Sequence, residues 1–195
     1  MCSSDLMDAG VPEHAEVLDA TFEHQEETRR ATSIDPGAAV VADVEARLEQ
    51  VRLLVADFFA VPLAEREGVA FLRYTSGGFY RPHRDRAAVP SWPDAARRAL
   101  ALVTFLNDSR DAVIDRGEFD GGTLRLFFED GPVDVAPQQG LLVAFRADLL
   151  HEVTVVRGGA RDTLVDWFYD ARPRHRADGG HAPSRGTSVG FRVPR

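Results

Sequence analysis

Between Val69 and Tyr169 the chain divides into short runs that are either wholly apolar or alternate apolar with polar residues. Each run has the length of a β-strand, and turn residues such as Gly77-Gly78 and Asp130-Gly131-Pro132 separate the runs. Many short strands divided in this way predict a sandwich or barrel, with jelly rolls and cupins among the candidates. The predicted strands are 69–75, 79–85, 99–106, 123–128, 141–146, 150–156 and 161–169.

The sequence before these strands predicts helices. Between 38 and 60, apolar residues recur at alternating steps of three and four, which places them on one face of a helix that packs on the sheet. Residues 13–30 are polar and are predicted to be helical as well. The apolar face of the 38–60 helix is formed by Val41, Val44, Leu48, Val51, Val55 and Phe58.

These patterns predict a mainly β fold with N-terminal helices, arranged as one domain over 13–170. Helical support would occupy 13–62 and the β core 69–170. Residues 1–12 lack periodicity, so we interpret them as a disordered or artefactual start. Residues 171–195 carry Pro, Gly and Arg with few apolar anchors, which predicts a disordered tail.

The composition excludes several classes of protein. All 23 basic residues are Arg, so a P-loop lysine and a lysine Schiff base are both excluded. The single Cys excludes a disulfide framework and predicts a reducing, cytoplasmic location. No apolar run reaches about 18 residues, so no membrane span is expected. The net charge of -8 argues against a nucleic-acid partner, whereas the oligomeric state stays open.

His83 and Asp85 are two residues apart in a predicted strand, so their side chains lie on the same face and can bind one ion. His151 begins a run in another predicted strand. Two His and one carboxylate form the facial triad of non-haem Fe(II) oxygenases, which leaves three metal positions open. The alternative for any single His is an ordinary core or surface histidine, and a His-x-Asp pair alone arises often by chance.

Arg161 lies on the same strand face as Thr163, Val165, Trp167 and Tyr169. A guanidinium on an otherwise apolar inner face is costly unless it meets an anion, and a dicarboxylate co-substrate would supply one. Thr163 could add a hydroxyl to that carboxylate. A tight turn at 157–160 predicts that the Arg161 strand returns beside the His151 strand. The alternative is a surface Arg that pairs with an aspartate such as Asp162 or Asp166.

The segment from Tyr74 to Asp85 resembles the iron-binding segment of prolyl 4-hydroxylase-type 2-oxoglutarate oxygenases, both collagen-type and oxygen-sensing. Further matches follow in order over roughly residues 70 to 170, and an ordered series is more specific than any single motif. They are Phe105-Leu106-Asn107, Gly121-Gly122-Thr123-Leu124, Pro137-Gln138-Gln139-Gly140, Phe145, His151-Glu152-Val153, Gly159-Ala160-Arg161 and Trp167-Phe168.

This resemblance implies a double-stranded β-helix (a jelly roll, cupin-like) with Fe(II), 2-oxoglutarate and O₂ as cofactor and co-substrates, and L-ascorbate as the reductant of the iron. It implies that His83, Asp85 and His151 bind iron. It also implies that Arg161 holds the distal carboxylate of 2-oxoglutarate, where collagen-type members use Lys. Tyr74 would lie against the co-substrate, and its pocket would be lined by Leu124, Val153 and Trp167.

Three residues qualify the resemblance. The family often has a hydroxyl at the position of Ala101 and a Tyr at the position of Phe105, so the affinity for 2-oxoglutarate is in question. Halogenases of the superfamily lack a carboxylate at the position of Asp85, so its presence favours hydroxylation. Gly121-Gly122 indicates either a close approach to a neighbouring strand or an ordinary turn.

Substrate identity is the least determined feature. We expect 86–98, with Trp92 as a candidate lid, and 107–120 to frame the substrate mouth. The resemblance suggests a prolyl residue of a peptide or protein, hydroxylated with release of succinate and CO₂. Hydroxylation of a free amino acid or small metabolite and a non-catalytic cupin-like metal-binding module are the alternatives. A nucleic-acid demethylase is a third, although its usual second Arg is replaced by Trp167.

Overall fold

The computed structural model describes residues 7, 10–14, 27–87, 92–112, 117–172 and 188–192. One helix, α1 (Ala38–Phe59), lies wholly within these residues, and a short 3-10 helix spans Ala95–Arg97. The remaining elements are strands. They are β1 (Val11–His14), β2 (Arg29–Arg30), β3 (Thr32–Asp35), β4 (Leu63–Arg66), β5 (Ala70–Thr75), β6 (Phe79–His83), β7 (Arg98–Phe105), β8 (Asp120–Gly121), β9 (Leu124–Phe128), β10 (Gly131–Val135), β11 (Leu141–Arg146), β12 (His151–Val153), β13 (Val156–Gly158), β14 (Ala160–Asp170) and β15 (Ser188–Arg192).

The described strands form two main sheets that face each other. The major sheet has eight strands in the order β1-β3-β5-β14-β7-β11-β15, with β4 paired to β14. The minor sheet has five strands in the order β10-β9-β12-β6-β2, and β8 pairs with β13 separately. Val103 and Phe145 of the major sheet pack on Leu124 and Leu126 of the minor sheet, so an apolar core lies between the two.

Helix α1 covers the other face of the major sheet. Leu48, Val55 and Phe59 are buried in one cluster with sheet residues such as Leu102 and Leu164. The prediction that Phe58 belongs to this face is wrong, because Phe58 is 42% exposed and Phe59 is 7% exposed. A step of four from Val55 reaches Phe59, which keeps it on the buried side.

The prediction of a mainly β fold is confirmed, and every predicted strand is present within a few residues of its expected bounds. The predicted strand at 150–156 is the one that differs, because the structure divides this segment between β12 and β13. The double-stranded β-helix detail stays a prediction. No helix among the described residues is both long and apolar enough to cross a membrane.

Three expectations about the flanking segments need correction. Residues 13–14 and 29–30 lie in β1 and β2 rather than in a helix, residues 27 and 28 are helical, and 15–26 lie outside the described residues. Part of the expected disordered start is also in β1, which begins at Val11 and pairs with β3. Part of the expected disordered tail forms β15, which pairs with β11. Backbone pairing with an existing sheet edge therefore orders short segments that have few apolar anchors.

The strand that carries Arg161 does not return beside the His151 strand, so that prediction is wrong. β14 lies between β5 and β7 in the major sheet, whereas β12 lies in the minor sheet. Between them, β13 pairs with β8, and the chain passes from one sheet to the other at Gly159, which has φ 80°. Arg161 and His151 consequently face each other across a cavity.

Candidate active site

The two predicted histidine ligands sit opposite each other on neighbouring strands of the minor sheet. His83 of β6 pairs in register with His151 of β12, and their ring centroids are 4.1 Å apart. Asp85 follows β6 and places its Oδ1 3.4 Å from His83 Nε2 and its Oδ2 3.5 Å from His151 Nε2. One potential ligand atom from each of the three residues lies within 4.8 Å of the others, so they can bind a single ion.

Hydrogen bonds on the far side of each ligand hold this geometry. His83 Nδ1 lies 2.8 Å from the Arg81 carbonyl and His151 Nδ1 lies 2.9 Å from the Leu149 carbonyl, so both rings turn Nε2 inward. Trp167 Nε1 donates to Asp85 Oδ2 at 2.9 Å. Partners of this kind fix the tautomer and orientation of metal ligands, so the three side chains are preorganised before a metal arrives.

The protonation states suit a metal site. Burial lowers the pKa of His151 to about 4, and the nearby Asp85 carboxylate offsets only part of that effect. The imidazole is therefore neutral near pH 7, the form that binds metals. Burial alone would raise the pKa of Asp85, but the adjacent His151 and the hydrogen bonds from His83 and Trp167 together hold it well below its ordinary value.

Arg161 faces this triad from the major sheet and is 1% exposed. Its guanidinium lies 5.1 Å from the Tyr74 ring and 5.2 Å from the Phe105 ring. Its Nε and one terminal nitrogen have no hydrogen-bond partner among the described residues. Burial lowers the pKa of Arg161 to about 10. A buried cation with unsatisfied donors is costly, which makes this side chain a candidate anion receptor.

The alternative in which Arg161 pairs with a neighbouring aspartate does not hold. Asp162 accepts two hydrogen bonds of 2.8 Å from Arg73. Asp166 accepts a 2.5 Å hydrogen bond from Arg66. Both aspartates point to the opposite side of β14 from Arg161, as the alternation of a strand requires.

The double glycine at 121–122 is a close approach as well as a turn. Gly122 has φ 61°, and a Cβ added to it would lie 2.8 Å from Arg161 Cδ and 3.0 Å from Val156 Cγ2. Gly121 has φ 74°, and its Cβ would lie 2.3 Å from the Val155 carbonyl oxygen. Only glycine therefore leaves room for the Arg161 side chain at this point.

A cavity of about 450 Å³ connects the triad with Arg161. All the predicted site residues line it: the triad, Arg161, Tyr74, Thr163, Leu124, Val153 and Trp167. The Thr163 hydroxyl donates to the Thr104 carbonyl at 2.7 Å, so its hydrogen is already engaged. Polar and apolar side chains therefore line the same cavity, as in binding sites for small molecules.

Only one of the two segments expected at the mouth reaches the cavity. Ala87, Trp92 and Arg98 line it, whereas none of the described residues in 107–120 does. The charged side chains of 107–120 instead pair with the protein itself, as in the Arg157–Asp111 contact at 3.1 Å. The assignment of 107–120 to the mouth is therefore wrong for its described residues, and the lid role of Trp92 stays a prediction.

The comparison with protein families decides the class. Residues 69–169 match the family model described as "2OG-Fe(II) oxygenase superfamily". The chain belongs to this superfamily. The match contains the whole triad and Arg161, so the residues that the geometry brings together are those inside the family region.

Relatives of this superfamily member agree in class. A PKHD-type hydroxylase of Nitrobacter winogradskyi is 32% identical over 99 residues, which are 50% of this chain and 41% of that protein. A PKHD-type hydroxylase of Shewanella frigidimarina is 28% identical over 100 residues. The chain thus matches less than half the length of these curated relatives.

Solved structures of the superfamily have a similar fold. A Pseudomonas putida prolyl-4-hydroxylase has a TM-score of 0.59 and 32% identity, over 75% of this chain and 76% of that one. A Trichoplax adhaerens prolyl hydroxylase, solved with a hypoxia inducible factor peptide fragment, has a TM-score of 0.62 and 16% identity, over 86% of this chain and 74% of that one. The second likeness concerns the fold alone.

The residues present fit the ion and the co-substrate of this superfamily. Two imidazole nitrogens and one carboxylate oxygen within 4.8 Å form the donor set that suits Fe(II). The unsatisfied guanidinium nitrogens of Arg161 suit a carboxylate of 2-oxoglutarate, because the planar fork binds carboxylates bidentately.

Several residues of the superfamily site were not assigned from the sequence. Arg98 stacks on Trp167 with 3.8 Å between its guanidinium carbon and the ring centroid, donates to the Asp85 carbonyl at 3.1 Å and pairs with Glu67. Tyr80 stacks on His83 with centroids 3.5 Å apart. The sequence signal for Arg98 is a charged residue directly before an apolar strand. The predicted strand begins at 99, one residue after Arg98, and so it does not include this residue.

Asn107 is a further supporting residue. Its Nδ2 donates to the Ala160 carbonyl at 2.9 Å, and its Oδ1 accepts from the Asp162 amide at 3.0 Å. These two hydrogen bonds hold the backbone of the residues directly before and after Arg161. Asn107 therefore fixes the start of β14 from which Arg161 projects.

Proposed function

We propose that this chain is an Fe(II)- and 2-oxoglutarate-dependent dioxygenase that hydroxylates an unactivated C–H bond, most simply of a prolyl residue in a peptide or protein, with release of succinate and CO₂. One observation carries the proposal. A buried Arg161 with unsatisfied donors lies in the same cavity as a preorganised His-Asp-His triad. A metal-binding module without catalysis would have no need of a buried arginine with unsatisfied donors.

In this proposal His83, Asp85 and His151 hold the iron. Fe(II) bound there, with 2-oxoglutarate and O₂, supplies the oxidation that breaks the C–H bond, and L-ascorbate serves as a reductant of the iron. The chain's own contribution is orientation. The Arg81 and Leu149 carbonyls direct the two Nε2 atoms, and the Trp167 indole holds one oxygen of Asp85.

The co-substrate would be held from the major sheet. Arg161 offers its free donors to the distal carboxylate, and Tyr74 lies against the same space. Thr163 adds a contact if its hydrogen leaves the Thr104 carbonyl. Leu124, Val153 and Trp167 form the apolar walls that exclude water and strengthen the charge contact. The two facing sheets would then correspond to the jelly roll of the family.

A prolyl substrate is supported by the shape and chemistry of the cavity and by the relatives. The aromatic side chains of Tyr80, Trp92 and Trp167 line it and suit an apolar ring. Two of them contact the triad, since Tyr80 stacks on His83 and Trp167 donates to Asp85. The Pseudomonas putida relative is a prolyl-4-hydroxylase. A free amino acid or small metabolite would use the same cavity. Activity on prolyl peptides compared with activity on free proline therefore distinguishes a peptide substrate from a small-molecule substrate.

Anaerobic titration with Fe(II) and then with 2-oxoglutarate tests the proposal. A metal-to-ligand charge-transfer band is expected only when both are present. His151→Ala should abolish the band and succinate formation, whereas Asp148→Asn, an exposed carboxylate three residues earlier, should leave both intact. Unchanged turnover in His151→Ala would contradict the proposal. A mass-spectrometric screen of prolyl peptides against free proline then identifies the substrate class.

A further inference from the structure

Most described arginines of this chain are neutralised by a carboxylate. The ion pairs extend from Arg47 and Asp43 on α1 to Arg172 and Asp170 after β14. The chain has a net charge of -8, so acidic partners are plentiful. An arginine without a carboxylate partner is therefore unusual in this chain, and its position is informative.

Among the described residues, three exposed arginines without a carboxylate partner lie on and beside the strand that carries His83. Arg30 is in β2, Arg81 is in β6, and Arg84 lies between the ligands His83 and Asp85. We call Arg30, Arg81 and Arg84 the arginine surface. Arg86 also has no ion pair with a described residue, but its charge adds slightly to the effect of the Arg172 hydrogen bond, which is the main cause of the lowered pKa of Asp170.

Two arginines of the arginine surface, Arg30 and Arg81, lie over an aromatic ring instead of beside a carboxylate. The guanidinium carbon of Arg81 lies 4.6 Å from the Phe79 ring centroid, and that of Arg30 lies 5.8 Å from it. Stacking of this kind orients a guanidinium and leaves its N–H edges available for carboxylates.

Positive charge continues from this surface into the cavity. Arg84 lines the cavity and donates to the Asp148 carbonyl. Arg29 also lines it, with its guanidinium carbon 4.8 Å from the Tyr80 ring centroid.

The same region offers a sheet edge. β2 is the last strand of the minor sheet and pairs with β6, and its other side has no strand partner among the described residues. An extended peptide can add to such an edge through main-chain hydrogen bonds. Arg29 lines the cavity, so Arg30 lies on the opposite face of β2, where it shares Phe79 with Arg81. These two arginines would then meet the peptide side chains that point away from the cavity.

We propose that the arginine surface and the β2 edge dock an extended peptide that carries Asp or Glu next to the residue to be hydroxylated. This inference rests on the proposed function and names its substrate class. The negative charge of the rest of the chain repels an acidic peptide elsewhere, so the attraction is confined to the arginine surface and orients the approach.

The probes are three fluorescein-labelled peptides of about 12 residues that share a central Pro and differ in the residues on both sides of it, which are Glu, Gln or Lys. Fluorescence anisotropy is measured with the metal-free protein and with the protein loaded with Mn(II) and 2-oxoglutarate. The Glu peptide should bind about tenfold more tightly than the Gln peptide, since two exposed charge pairs contribute about that factor. Raising the salt from about 50 to 200 mM should reduce the difference.

Matched variants locate the effect. Arg81→Gln/Arg84→Gln should lose most of the preference for the Glu peptide. Arg47→Gln/Arg52→Gln on α1 changes the net charge equally and should keep the preference. Equal binding of the Glu and Gln peptides at low salt would overturn the inference. Tighter binding of single-stranded DNA of equal charge would also overturn it, in favour of a nucleic-acid partner.

The outcome is separable from that of the proposed function. A protein that converts 2-oxoglutarate with a prolyl peptide but binds Glu and Gln peptides equally keeps its enzymatic role and loses this docking site. A protein that binds the Glu peptide in a salt-dependent manner but never forms the charge-transfer band with Fe(II) and 2-oxoglutarate loses the proposed chemistry and keeps the docking site.

Discussion

The two sheets supply opposite sides of the same cavity, and they differ in how completely their polar groups are satisfied. On the minor sheet, each histidine ligand is hydrogen-bonded to a backbone carbonyl two residues earlier. On the major sheet, Arg161 has two nitrogens without a partner among the described residues, although Asp162 beside it pairs with Arg73 and Asp166 pairs with Arg66.

This difference indicates which side of the cavity should gain more stability when its ligand binds. The metal side is rigid in advance, so little reorganisation is needed when an ion binds. On the major sheet, the buried charge of Arg161 has no counter-ion among the described residues, which lowers the free energy of unfolding in the absence of ligand. An anion that binds to Arg161 would restore that stability. Ligand-dependent stability should therefore arise mainly from the major sheet.

The largest effect is expected from Arg161→Met. Removal of an unpaired buried charge should raise the free energy of unfolding of the ligand-free protein by about 1–3 kcal/mol, as measured by urea denaturation. The same variant should lose on the order of a hundredfold in affinity for 2-oxoglutarate, because two charge-assisted hydrogen bonds disappear. The stabilisation of the wild type at saturating ligand should vanish with them.

Arg66→Met is the matched control for Arg161→Met. Arg66 is also largely buried, but it pairs with Asp166, which is fully buried. Its removal leaves that carboxylate uncompensated and should destabilise the protein. Destabilisation by Arg161→Met of similar size would mean that Arg161 is a structural ion rather than an anion receptor.

Trp167→Phe removes the link between the sheets. Trp167 is on β14, yet its indole donates to the carboxylate of Asp85 on the other side of the cavity. Loss of this donor should weaken Fe(II) binding about tenfold, the usual effect of removing a partner of a metal ligand. Isothermal titration with Fe(II) under anaerobic conditions measures the change. Trp92→Phe, in the same cavity lining, should leave the affinity unaltered.

The proposed metal ligands were accessible from the sequence because His83, Asp85 and His151 fall within an ordered series of motifs that resembles the oxygenase family. The spacing of His83 and Asp85 alone was a weak signal, and Asp85 lies after β6 rather than within it. The contacts that support them were not accessible. Trp167 is 82 positions from Asp85, and its hydrogen bond depends on how the two sheets face each other. Local periodicity reports which residues share a face and carries no information on which sheets meet.

The same limit explains the errors in the fold. Alternation identified the strand at 161–169 but not its neighbours, so its pairing was assigned to the wrong sheet. β10 is absent from the predicted strands because Asp130-Gly131-Pro132, which overlaps its start, is typical of a turn. Proline is tolerated there because β10 is one of the two edge strands of the minor sheet among the described residues, and an edge strand can point a missing N–H away from its neighbour.

Gly122→Ala tests whether the space beside Arg161 matters. The added Cβ would lie 2.8 Å from Arg161 Cδ, so the guanidinium should shift and the KM for 2-oxoglutarate should rise several-fold. The positive φ adds backbone strain of about 1 kcal/mol. Gly131→Ala carries a positive φ with nothing within 4 Å of its Cβ, and so it isolates the strain. A KM change of equal size in both variants would remove Arg161 from the explanation.

The smallest effect is expected from Thr163→Val. The hydroxyl hydrogen of Thr163 is donated to the Thr104 carbonyl, so a carboxylate gains that hydrogen only at the expense of an existing bond. The net gain is then a fraction of an ordinary hydrogen bond, and the Kd for 2-oxoglutarate should rise by about twofold to threefold. Thr163→Ser keeps the hydroxyl and should restore the affinity. A loss that approaches the one in Arg161→Met would show that Thr163 is itself a principal anchor, and the major sheet would then hold the anion with two residues instead of one.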